Sequence, residues 1–278
     1  SLSREAGEDW GGVGANLRSR TVPACRPTSG VWLILALLLL WEISARLNWL
    51  DSPNWPPLST VLTALARDTL TGELPARIGG TLYRMSAGLT LGAFAGVLIG
   101  LAFALVPLAA RLFGAVVELV RPIPVPAVIP PLVLFLGLDD PMKITVVALT
   151  AFFPVLTNTV QGVQAVEADT VAMGRTFGIP AWRRAAHIIL PAALPYILAG
   201  LRVALGLALV VAVVAEMIAG EQGVGSYLVL MQFAGRAPEV YGTVILLAIL
   251  GYVLNRAFVA AERRAIHWWF AMGRQEGG

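Results

Sequence analysis

From Gly88 to Val106 the chain runs nineteen residues without a charged side chain (GLTLGAFAGVLIGLAFALV). A helix of that length can cross the roughly 30 Å hydrocarbon core of a bilayer. In lipid, every backbone N–H and C=O needs a partner within the protein, so such a run folds as a helix. Further apolar regions cover Val31 to about Asn48, Leu112 to Leu138, Lys143 to about Val163, Ala193 to Ala219 and Val240 to about Ala260. The composition agrees, with 57% hydrophobic and 13% charged residues, where soluble domains carry about 25% charge. These runs predict an all-α polytopic membrane protein with six transmembrane helices.

The segments between the runs complete the layout. Residues 1–29 read as a cytoplasmic N-terminal tail, 30–260 as the transmembrane domain and 261–278 as a cytoplasmic C-terminal tail. The first apolar run lacks a clean A-x-A cleavage site and reads as a retained span, not a signal peptide. Leu58 to Arg84 is expected to be surface helix in two pieces, broken near Gly72 and Pro75. Gly220 to Glu239 (beginning GEQGVGSYL) is expected to be a Gly-rich external loop.

Orientation follows the excess of Lys and Arg on the cytoplasmic side. With both termini inside, thirteen basic residues fall on cytoplasmic segments: Arg4, Arg18, Arg20, Arg26, Arg111, Arg121, Arg175, Arg183, Arg184, Arg256, Arg263, Arg264 and Arg274. Five fall outside: Arg67, Arg77, Arg84, Lys143 and Arg236. This count describes a multi-pass membrane protein with both termini cytoplasmic.

Several kinds of chemistry are excluded. Lys143 is the only lysine and is followed by Ile144, so no phosphate-binding G-x-x-x-x-G-K-[ST] loop exists. Neither H-E-x-x-H nor G-x-S-x-G occurs. Cys25 is the only cysteine, which rules out an intrachain disulfide and a multi-cysteine metal site. No basic stripe with interleaved aromatics is present, so nucleic acid is not an expected partner. The chain reads as a non-enzyme without a cofactor or metal of its own.

Within the apolar regions three features stand out. Gly88, Gly92, Gly96 and Gly100 form an i, i+4 ridge, which suits either packing inside the molecule or a contact with a second copy. The segment RPIPVPAVIPP places Pro122, Pro124 and Pro126 where no regular helix can hold them all. Irregular backbone at membrane depth needs cover from protein or a watery path. Arg121, Pro122, Pro124 and Pro126 are therefore candidates for a translocation path or gate, against the alternative of a kinked helix with no role in passage. Glu42, Glu118 and Glu216 lie within or at the ends of spans, and intramembrane carboxylates are functional candidates by default. Glu216 joins the path candidates, with a structural paired carboxylate as the alternative. Arg121 and Arg202 could attract an anion or pair at a helix end.

The stretch Ala172 to Pro195 (AMGRTFGIPAWRRAAHIILPAALP) is polar, arginine-bearing and set between two apolar runs. Gly178 and Pro180 divide it into two helical pieces, and Pro191 and Pro195 open the next run. Anchored on Gly178, its spacing resembles the E-A-A, three residues, G, nine residues, I, one residue, L-P pattern of permease subunits of bacterial ABC importers. Ile188, Leu190 and Pro191 fall in register, while Ala172, Met173 and Gly174 occupy the E-A-A positions. Ala172 thus replaces the family glutamate. The segments Arg121-Pro122-Ile123-Pro124, Phe135-Leu136-Gly137-Leu138 and AFFPVLTNT are similar to the nitrate, sulfonate, taurine and bicarbonate branch.

The resemblance implies a type I ABC importer permease fold and a permease for a small anion: a sulfonate or taurine, nitrate, bicarbonate or an aromatic carboxylate. It implies a cytoplasmic coupling loop at about 167–192. Ala172, Met173, Gly174, Arg175, Thr176, Phe177, Gly178, Ile179, Pro180, Trp182, Ile188, Leu190 and Pro191 would contact a separate ATPase. The implied partners are two ABC ATPase subunits that bind ATP and Mg, a second permease copy in a homodimer, an external solute-binding protein and membrane lipid. An ion-coupled secondary transporter is the competing reading; it calls for a midplane carboxylate and often an internal repeat.

Overall fold

The computed structural model describes residues 27–49, 52, 54–220 and 222–265. These form helices, turns and loops with no strand among the described residues. The chain divides into two compact units, 1–52 and 53–278. The first contains α1 (Pro27–Arg46), an apolar helix in which Arg46 Nε donates to Glu42 one turn back at 2.6 Å. It starts before the expected tail boundary at 29 and ends two residues short of the expected Asn48. Residues 1–26 and 266–278, including most of both expected tails, lie outside the described residues.

In the second unit α2 (Leu58–Leu70) and α3 (Glu73–Leu105) are separated by Thr71 and Gly72, whose φ of 81° takes the left-handed turn. Pro75 does not break the chain as expected. It occupies the third position of α3, where its missing N–H would have had no helical partner. The expected surface piece and second span are therefore one helix. At 33 residues it is about 50 Å long, well beyond the roughly 30 Å apolar core.

Four long apolar helices are present: α3, α6 (Asp140–Gln164), the α8–α9 stretch (Ala181–Ala219) and α11 (Ala237–Ala265). A fifth crossing arises if α4 (Pro107–Val120) and α5 (Ile129–Leu136) count as one bent span, and the expected six is reached only by adding α1. The external loop is also corrected. Val224–Phe233 forms a ten-residue helix, α10, and α11 already begins at Ala237. Only Gly223 (φ 117°) and Gly235 (φ 69°) serve as turn glycines there.

The centre of this unit is α6, packed between α3 and α9 (Leu190–Ala219). The glycine ridge makes the first contact possible. A Cβ on Gly92 would lie 2.2 Å from the Ala148 carbonyl oxygen, and one on Gly88 would lie 2.6 Å from Val147 Cβ. Gly96 and Gly100 face Phe152, Val155 and Thr159 in the same way. The ridge thus serves packing inside the molecule. On the other side of α6, Gly200 of α9 abuts Asn158 and the Pro154 carbonyl. Met85, Val147, Leu205, Ala208, Leu209, Ala212 and Val213 fill the three-helix core. The opposite faces are apolar and exposed, including Phe94, Leu98, Val203, Val210, Tyr252 and Val253. A lipid-facing surface has this inverted character, since hydrocarbon solvates such side chains.

Candidate functional site

The polar stretch after α6 folds as two short helices with a fixed corner. α7 (Ala168–Thr176) ends where Gly178 adopts φ 68°. Its closing bonds run from Gly178 N–H to the Arg175 carbonyl (2.9 Å) and from Ile179 N–H to the Gly174 carbonyl (3.0 Å). The second of these is the six-residue closure that a left-handed glycine permits. Pro180 then starts α8 (Ala181–Arg184), where its missing N–H is harmless. Arg184 Nη1 donates to the Ile179 carbonyl at 2.6 Å and pins the corner. A Cβ on Gly174 would lie 3.0 Å from Arg184 Cδ and 3.3 Å from Ile188 Cδ1, so only a small residue lets α7 lie against this segment.

Five residues of π-helix, Ala185–Ile189, join α8 to α9. Pro191 explains them. It has no N–H to give to the His187 carbonyl and crowds that turn, so the ladder widens and Leu190 N–H reaches back to Ala185. The result is a rigid elbow between the surface corner and a 30-residue helix.

The corner presents Met173, Phe177 and Trp182 outward at 55%, 79% and 64% exposure. The Arg183 guanidinium lies over the Trp182 ring at 5.0 Å. Ala172, Arg175, Thr176, Gly178 and Pro180 are also exposed, whereas Gly174 is buried and Ile179, Ile188, Leu190 and Pro191 are half-buried. The first group forms an outward surface and the second supports it. A large apolar knuckle rimmed by arginines is the surface a protein partner covers.

The path candidates are not brought together. Arg121, Pro122, Pro124 and Pro126 lie exposed at a 91° bend between α4 and the segment Val125–Leu136. Its anchor is Ile129, fully buried against Met142, Val146, Val211, Ala215 and Ala219. Glu216 lies elsewhere, fully buried at the end of the molecule opposite the corner. Its carboxylate accepts from Arg84 Nη1 (2.9 Å), Thr81 Oγ1 (2.9 and 3.0 Å to the two oxygens) and Gly225 N–H (3.1 Å). Arg84 also donates Nε to Asp140 at 2.6 Å and Nη1 to the Gln222 carbonyl at 3.2 Å. One buried cluster thereby ties α3, α6, α9 and the turn into α10.

By sequence, Arg84 and Lys143 count only as external charges. Both are buried, at 4% and 3% exposure. The pairing of Arg84 with a residue 132 positions away leaves no local signature. An available signal is Lys143 itself, a lone lysine in the first turn of an apolar helix. Among the expected external charges, Arg67, Arg77, Arg84 and Arg236 are all ion-paired. Arg111, Arg121, Arg175, Arg183, Arg184, Arg256 and Arg263, assigned inside, make no ion pair among the described residues. Arg202 pairs with Glu262.

Residues 88–266 match the family described as the inner membrane component of binding-protein-dependent transport systems. The chain belongs to this family. Among relatives of this inner membrane component is a permease named for aliphatic sulfonates transport, SsuC of Escherichia coli (strain K12), 30% identical over 85% of this chain and 90% of that one. The taurine transport system permease protein TauC of the same strain is 28% identical over 87% of this chain and 90% of its own length. A solved structure described as inward-facing conformations of the MetNI methionine ABC transporter has a TM-score of 0.62 at 18% identity, covering 71% of this chain and 98% of that one. The all-α importer permease fold is thus shared at low identity. The chain is the permease subunit of an ABC importer, with relatives named for sulfonate and taurine transport.

Proposed function

We propose that this permease carries a small sulfonate-type anion across the inner membrane, driven by ATP hydrolysed in a separate subunit docked on the α7–Gly178–α8 corner. The observation that carries the coupling part is the outward display of Met173, Phe177 and Trp182 on a corner fixed by Gly178 and Pro180. A load placed on this surface reaches α9 through Arg184, Ile188 and the π-helical elbow without crossing a flexible linker. Two ATPases, each bound with ATP and Mg, and two permease copies would then switch between two arrangements as rigid bodies. The external binding protein would meet the end that carries α10 and the Arg84 cluster.

Orientation is supported by the count of basic residues, thirteen on the corner's side against five on the other, which weights the corner's side as cytoplasmic. The substrate class is supported by the names of SsuC and TauC. The proposal is tested by expressing the tagged chain with the products of its neighbouring genes and measuring ATP-dependent uptake of radiolabelled taurine and ethanesulfonate in proteoliposomes. Co-purification of an ATPase and uptake of either solute are expected. A chain that takes up solute alone, under an ion gradient and without ATP, overturns it.

A further inference from the structure

We propose that the cavity at the N-terminal end of α6 receives the singly charged oxyanion head of a solute, a sulfonate or a carboxylate, on Lys143. This deepens the importer reading and rests on it.

The cavity has a volume of about 640 Å3, and its walls include Arg84, Asp139, Asp140 and Lys143 together with the apolar Leu138 and Ile218. Its charges are not equivalent. Arg84 and Asp140 hold each other, and Arg84 is also held by Glu216. Lys143 is almost wholly withdrawn from solvent, at 3% exposure, yet makes no hydrogen bond or ion pair among the described residues. No buried side-chain nitrogen or oxygen lacks a hydrogen-bond partner among the described residues, so the Lys143 ammonium itself opens onto solvent, and the space it opens onto is the cavity. A charge otherwise withdrawn from water and held by no direct partner gains from an anion placed there.

A second feature agrees. α6 starts at Asp140, and its preceding residue Asp139 makes no side-chain capping bond. The first-turn N–H groups of Met142 and Lys143 therefore lack a side-chain cap at the same end of the cavity, where the helix favours negative charge. Leu138 and Ile218 offer a short alkyl group an apolar wall. Selectivity follows from the carboxylates. Lys143 can neutralise one negative charge, while Asp139 and Asp140 stand beside it. A dianion such as sulfate would place its second charge next to them without compensation, so the site prefers a monoanionic head.

The test uses the full chain purified with its ATPase in nanodiscs of zwitterionic lipid, with saturation transfer to ethanesulfonate read by proton NMR. Transfer is expected in the wild type, displaced by methanesulfonate at least tenfold more readily than by sulfate. Lys143→Gln and Lys143→Met are expected to lose it, and Lys143→Arg to keep it, with unchanged elution and melting. Asp139→Asn is expected to let sulfate displace. No transfer in the wild type, equal displacement by sulfate, or undiminished transfer in a folded Lys143→Gln protein would overturn the site. The wild-type competition needs no variant, so it decides the matter even where a variant misfolds. Retained ATPase with no transfer counts against the site alone, whereas absence of any co-purifying ATPase counts against the importer reading.

Discussion

Arg84 Nη1 lies 2.9 Å from Glu216 Oε1, and the two side chains are 4% and 0% exposed. They come from α3 and α9, 132 positions apart. Around them Thr81 also accepts from Val224 N–H at 3.0 Å, so the turn into α10 is built onto the pair. A Cβ on Gly223 would lie 2.2 Å from the Glu216 carboxyl carbon, which leaves the turn no room to carry a side chain there.

Removing Arg84 would strand the Glu216 charge. Breaking a buried pair from one side costs about 3–5 kcal/mol. Arg84→Met is therefore expected to lower the melting temperature in detergent sharply. Glu216→Gln is expected to be milder, since its amide still has Thr81 to meet and Arg84 keeps Asp140. Equal, small effects from both would mean that the cluster does not govern stability.

The glycine ridge gives a second expectation. Gly92→Val places its Cβ on the Ala148 carbonyl and forces α3 away from α6. Overpacking of this kind costs about 1–3 kcal/mol, so the variant should express poorly and melt early. Gly206, whose Cβ would meet nothing within 4 Å, should accept alanine without penalty. A well-folded Gly92→Val chain that has lost only its pairing with a second copy would return the ridge to an intermolecular role.

Near the same end, the Tyr227 hydroxyl donates to the buried Asp68 carboxylate at 2.6 Å. Tyr227→Phe would leave Asp68 with one partner fewer, at a cost of about 1–3 kcal/mol. Burial, and then the hydrogen bond to Asp68, hold the phenol above its ordinary range. Its folded pKa is raised, so this contribution is complete below the unfolded pKa of about 10 and is lost as pH rises through the folded value. Melting measured from pH 7 to 11 should show the Tyr227→Phe difference constant to about pH 10.

At the coupling corner, Phe177→Asp is expected to abolish uptake while leaving the melting temperature within a degree or two, because the ring is exposed. Gly178→Val is expected to destabilise the corner as well, since a β-branched residue at φ 68° is strained. Wild-type uptake in Phe177→Asp would place the dock elsewhere.

Much of this architecture is legible in the chain. The helix and membrane class follow from apolar runs such as Gly88–Val106, and the corner follows from Gly178 and Pro180, whose backbone demands are local. What escapes is set by distant partners. Arg84 looks like a surface charge by sequence, yet it is buried, because Glu216 and Asp140 hold it. α10 escapes because its glycines look alike: Gly223 makes a turn, whereas Gly225 lies inside the helix against the Val213 carbonyl. Lys143 shows the same limit, because its missing partner is visible only once its neighbours are placed.

Docking of the ATPase on the α7–α8 corner is read out by a photo-crosslinking amino acid placed at Phe177 and, separately, at Leu70. Both positions are exposed, at 79% and 86%, and they lie at opposite ends of the molecule. With the chain expressed beside its neighbouring genes, irradiation is expected to join Phe177 to the ATPase and to leave Leu70 unjoined to it. An ATPase adduct from Leu70, or none from Phe177 in a complex that hydrolyses ATP, would refute coupling through this corner.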